Sequence, residues 1–168
     1  MPSDPPPSTA TTHPQPPRLQ RWFKTWQRLG WRDRLMLCEA LLLLGIGRAT
    51  VLFIPFKRVA PYLGEAQQET APGTPAAVAY RVGRAIFLVS RHTPWTSNCF
   101  AQALAGHVML RRRGAANTLY LGVKKDGETF AAHAWLRHGD LVLTGGPGHE
   151  QYTVMARYRW QPQASPEA

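Results

Sequence analysis

Thr96-Ser97-Asn98-Cys99-Phe100-Ala101-Gln102-Ala103-Leu104 is the stretch that decides how this chain reads. A loop ending at Ser97 and Asn98 enters an apolar segment of small residues. Either polar residue can cap a helix by accepting a first-turn amide. The predicted helix runs to Arg111-Arg112-Arg113 and stops at Gly114. Cations suit the negative end of a helix, and glycine suits a left-handed C-cap. Cys99 then opens the helix. A thiol becomes a nucleophile on losing its proton, which a helix N-terminus or a nearby imidazolium favours. Free first-turn amides can also hold a developing oxyanion.

Working outward, Thr118–Val123 is a β-rich run, and Lys125-Asp126-Gly127-Glu128 is a turn with an Asp-Gly signal. Phe130–Arg137 is the next strand. His138-Gly139-Asp140 is a tight turn, and Leu141–Thr144 is the return strand, broken by Gly145-Gly146-Pro147-Gly148. The middle strand carries Ala132-His133-Ala134-Trp135-Leu136. Alternation puts His133, Trp135 and Arg137 on one face, and Phe130, Ala132, Ala134 and Leu136 on the other. If the His133 face packs on the Cys99 helix, imidazole and thiolate pair and Trp135 shields them from water. Trp95 and Asn98 are secondary candidates, as donors completing an oxyanion hole. Their structural alternatives are a packed indole and a capping amide. Helices followed by antiparallel strands predict an α+β fold.

Upstream, Ala76–Ser90 has apolar residues at helical spacing, and 64–76 is a polar Pro/Gly connector. Asp33 opens a second apolar helix, expected to run to Arg48, in which Cys38 reads as a core residue. Glu39 and Arg48 interrupt this run, which leaves it short of a membrane span. An interfacial helix is a further option. Phe56–Ala60 is a turn or short helix. The basic stretch 18–34 carries Trp22, Phe23, Trp26 and Trp31 and reads as a short amphipathic helix ended by Gly30. Residues 1–17 are Pro, Ser and Thr rich and read as a disordered tail with no signal peptide. The expected organisation is therefore a tail over 1–17, a helical segment over 18–63, a linker over 64–76, a core over 77–160 and a tail over 161–168.

The chain has 168 residues, a net charge of +10 and 44% hydrophobic content, enough for one packed domain. So basic a surface favours anionic partners. No helix-turn-helix, zinc or RNA-recognition signature supports nucleic acid as one, so none is expected. Two cysteines, Cys38 and Cys99, make neither a disulfide framework nor a structural zinc site. His92, His138 and His149 fall in loops or turns. His107 falls mid-helix, facing solvent or core. No pair forms a metalloenzyme pattern, so no metal or other cofactor is expected. A free thiol at Cys99 fits a reduced, cytoplasmic setting.

The run SNCFAQALAGHVMLRRRGAANTLYLGVKKDGETFAAHAWLRHGDLVLTGG (97–146) resembles the core of the bacterial lasso-peptide leader peptidases, within the transglutaminase-like cysteine protease superfamily. The likeness covers about 94–155. LLLLGIGRATVLFIPFKRVAPYLG (41–64) resembles that family's N-terminal stretch. The resemblance implies a transglutaminase/papain-like core, a nucleophile helix on an antiparallel sheet, with an N-terminal helical extension. It implies Cys99 as nucleophile and His133 as general base and then acid, removing the leader from a ribosomally made precursor peptide that a cyclase then closes. With no room for a fused leader-binding domain, the chain resembles the stand-alone protease, whose partners are the precursor, a separate small leader-recognition protein and the lasso cyclase. Segments 18–34 and 35–48 are the candidate docking elements.

One departure matters. Such sites carry an acid on the strand after the histidine. Here the cross-strand neighbours of His133 are Thr144, Gly145 or Gly146, and Asp140 lies roughly 15–20 Å away along the ladder. Thr144, a backbone carbonyl, a water, or Asp126, Glu128 or Glu150 from a loop are the replacements. The rival readings are a thiol acyltransferase or transglutaminase and a non-catalytic basic adaptor.

Overall fold

The computed structural model describes residues 30–64 and 76–162. The expected tail 1–17, the basic stretch before Gly30, most of the connector and the end of the C-terminal tail lie outside the described residues. The chain divides into two units, 1–34 and 35–168. The described part of the first is the start of helix α1 (Trp31–Phe53), where the amides of Asp33 and Arg34 meet the Gly30 carbonyl at 3.0 and 3.1 Å. The helix also passes its expected end at Arg48, because Ala49–Phe53 contains no glycine or proline and Pro55 is the first breaker.

In the second unit α1 is followed by α2 (Phe56–Val59), a 3-10 turn (Ala60–Tyr62), α3 (Ala76–Ser90) and α4 (Cys99–Arg111). Strands β1 (Asn117–Asp126), β2 (Thr129–His138), β3 (Leu141–Thr144) and β4 (Thr153–Trp160) form one antiparallel sheet in the order β3-β2-β1-β4. The fold is α+β, as its sequence predicts. Leu44, Ile86, Met109, Leu110, Leu119 and Leu136 fill the core between helices and sheet.

By length and composition α1 could cross a membrane. Apolar almost all round, it has no unique inner face by pattern. Small residues choose one: Ala40 and Gly47 are buried with Leu44, and a Cβ on Gly47 would lie 3.1 Å from the Ala101 carbonyl oxygen. Cys38, expected in the core, is on the exposed side. Glu39, which breaks the apolar run, binds Arg112 at 2.9 Å and Arg113 at 2.6 Å. It therefore ties α1 to the far end of α4.

Helix α4 presses closely on β2. A Cβ on Gly106 would lie 2.6 Å from Leu136 Cδ2. Ala103 and Gly106, on one face of the helix, keep that face shallow, and Leu136 fills the space opposite Gly106.

Candidate thiol active site

Cys99 is the first residue of α4. Asn98 is the N-cap, with extended backbone and Oδ1 accepting from the Ala101 amide at 2.9 Å. The loop before it is pinned. Thr93 Oγ1 lies 2.9 Å from both the Trp95 carbonyl oxygen and Ser97 Oγ, and Gln102 Nε2 donates to the Ser97 carbonyl at 2.8 Å. Cys99 and Phe100 occupy the first turn, so their amides have no intrahelical acceptor and point out of the helix end. The Asn98 side chain is a cap, its structural alternative. Trp95 packs its ring 3.5 Å from where a Cβ on Gly45 would lie. Its indole N–H is buried without a partner among the described residues.

His133 stands on β2 opposite Gly122 of β1. Its Nε2 lies 2.9 Å from the Gly145 carbonyl oxygen. A carbonyl can only accept, so Nε2 carries a proton, and in the neutral imidazole the lone pair is then on Nδ1. A backbone carbonyl therefore fills the place where an acid was sought. Only glycine fits there. Gly145 has φ +97°, and a Cβ would overlap that of Trp135. The acids lie elsewhere. Asp140 pairs with Arg137 at 3.3 Å, and Glu150 accepts from the Gly148 amide. Backbone N–H bonds, its own first, hold Glu150 below the usual carboxylate range. Asp126 and Glu128 are exposed at the β1–β2 turn.

The imidazole packs on Tyr152, with ring centroids 4.9 Å apart, and on Trp135 at 6.0 Å. Trp135 stacks on Tyr120 at 5.3 Å and meets His149 at 5.6 Å. Gly122 leaves room for the indole, since a Cβ there would come within 2.9 Å of its ring. Sequence reasoning missed Tyr120, Tyr152 and His149. No motif marks them, and only the fold gathers them around His133 and Trp135.

The packing face of β2 is corrected by the structure. Ala134 and Leu136, not His133 and Trp135, face α4. The shallow Ala103–Gly106 surface accepts small and aliphatic side chains, whereas the indole finds its space over Gly122. Cys99 and His133 belong to separate networks, and no hydrogen bond joins them. On the β3 side, however, the edge of β2 beside His133 is unpaired. The two strands pair only at Leu136–His138.

His107 and His138 hold backbone and core contacts. His107 donates to Asn117 Oδ1 at 2.7 Å in the core, and burial pushes its pKa down to about 4. His138 closes β2 with Nδ1 at 2.6 Å from the Ala116 carbonyl oxygen. Among the described residues, no three His, Cys, Asp or Glu side chains gather as a metal site.

A search of curated proteins and a search of solved structures each return no match. The family model of the transglutaminase-like superfamily matches residues 40–157. That span takes in the Cys99 helix, the His133 strand and the packed part of α1, and with it the chain belongs to the transglutaminase-like superfamily.

Proposed function

We propose that this chain is a thiol peptidase using Cys99 as nucleophile and His133 as general base, and that it removes the leader from a lasso precursor peptide. The superfamily's chemistry is of the cysteine peptidase or acyl-transferase type. The carrying observation is Cys99 as the first residue of a side-chain-capped helix inside the matched region. Sulfur attacks the scissile carbonyl. The amides of Cys99 and Phe100, joined by the indole N–H of Trp95, hold the oxyanion. His133 Nδ1 takes the thiol proton and delivers it to the departing amine. Water then hydrolyses the thioester and restores the thiol.

The imidazole and the sulfur share no hydrogen bond in the free chain, so the proposed mechanism requires them to meet when substrate is bound. Catalytic hydrogen bonds often tighten only when substrate is bound. The leader specificity rests on the resemblance of the two sequence blocks. In this reading the chain works in the cytoplasm with a leader-recognition protein and alongside the cyclase. The exposed Leu42, Ile46 and Phe53 of α1 are the candidate docking face. Peripheral membrane contact is the lesser use of that face.

A second reading, a non-catalytic basic adaptor, is favoured by the separation of Cys99 from His133. Mass spectrometry of a lasso precursor peptide, incubated with the protein and a leader-recognition protein, separates the two. The peptidase reading expects cleavage with water added, lost in Cys99→Ala and in His133→Ala. Cleavage that survives Cys99→Ala would sink it.

A further inference from the structure

Residues of α1, α2, α4 and β1 line an open pocket of about 180 Å³. Phe100, the residue after Cys99, forms part of its wall. Val51 and Ile54 at the end of α1, Phe56 and Val59 of α2, and Leu121 of β1 complete an apolar lining. Thr50 is the polar member, and its hydroxyl is committed to the Ile46 carbonyl at 2.9 Å. The lining therefore offers neither charge nor a free side-chain donor. Phe56 sets edge-on against Phe100 and Tyr158, with centroids 5.8 and 5.9 Å apart, which fixes the shape of the wall. The mouth is wet. Val51, Ile54 and Phe56 keep 36%, 44% and 40% of their surface exposed.

We propose that this cavity is a specificity pocket that takes an apolar side chain, or a short aliphatic acyl chain, from the acyl side of the bond that Cys99 attacks. The inference rests on the thiol reading above. Phe100 of the pocket wall follows Cys99 directly in the first turn of α4, so the pocket opens off the same helix end that carries the thiol. A charged or strongly polar substituent would lose its water there without a replacement partner. Each methylene buried from water strengthens binding by about fourfold.

The probes are p-nitrophenyl acetate and p-nitrophenyl hexanoate. The sulfur–carbonyl bond forms as p-nitrophenolate leaves. The thiol proton passes to His133, and water then releases the acid and restores the thiol. With rates corrected for spontaneous hydrolysis, the expected kcat/KM for hexanoate exceeds that for acetate by tenfold or more. Val51→Trp, which fills the mouth, should bring the ratio toward one. Ile54→Glu should do the same through charge, so a folding defect in one variant leaves the other to decide. Equal kcat/KM for both esters, or a ratio that neither variant moves, overturns the pocket and leaves the thiol reading standing. If Cys99→Ala turns over both esters as fast as the native chain, the thiol reading falls and the pocket with it.

Discussion

At its C-terminal end α4 has its cations engaged. Arg111 donates to the Tyr62 carbonyl, Arg112 and Arg113 clasp Glu39, and Arg113 also caps the Met109 carbonyl at 2.8 Å. His107 and Asn117 complete a buried polar contact one turn earlier. At its N-terminal end the same helix has one side-chain cap, Asn98, two outward amides and the partnerless indole N–H of Trp95 nearby. A buried polar group without a partner costs stability. The C-terminal end is held by side chains and carbonyls of other elements, although His107 Nε2 is also buried without a partner among the described residues. The N-terminal end has a single side-chain cap.

The largest test of this contrast is acid. The folded state holds His107 neutral, at about 4 against 6.5 for the free side chain. The unfolded chain takes up that proton near pH 6.5. The stabilisation is therefore complete above pH 6.5 and is lost as pH falls from about 6.5 to 4, by about 3 kcal/mol in all. Urea unfolding at pH 7 and pH 4 should show the loss, and His107→Gln should remove that part of the pH dependence. An identical acid loss in His107→Gln would break this picture of the C-terminal end.

A smaller effect belongs to the other end. Asn98→Ala removes the only side-chain cap there and should cost about 1 kcal/mol, read as a lower Tm. Ester turnover at Cys99 should fall with it, because the first-turn amides are no longer held in register. An unchanged Tm with unchanged turnover would mean that the cap neither holds the helix end nor positions the thiol.

Local signals made most of the frame legible in the sequence. Asn98 before Cys99 marks the start of α4, and the expected bounds of α3 and β3 match the structure because breakers flank both. Strand β4 was not read, although Val154, Ala156 and Tyr158 alternate with solvent-facing residues. Arg157 and Arg159 dilute the apolar signal of this stretch. The inner face of α1 was illegible for the opposite reason, since apolar residues all round leave the choice to Ala40 and Gly47. The inner face of β2 depended on Gly106 across the core, which no period-two pattern can reveal. The carbonyl of Gly145 lay within the expected window opposite His133, but a main-chain acceptor carries no side-chain signature.

The central claim is that Cys99, and not simply an accessible thiol, is the nucleophile. Cys38, exposed on α1, is the internal control. The most direct measurement is acid quenching after mixing with p-nitrophenyl acetate, followed by peptide mass mapping of both cysteines in the native chain and in His133→Ala. The expected result is an acetyl group on Cys99, little on Cys38, and much slower acetylation of Cys99 without His133. Acetylation of Cys38 ahead of Cys99, or a Cys99 rate indifferent to His133, would contradict it.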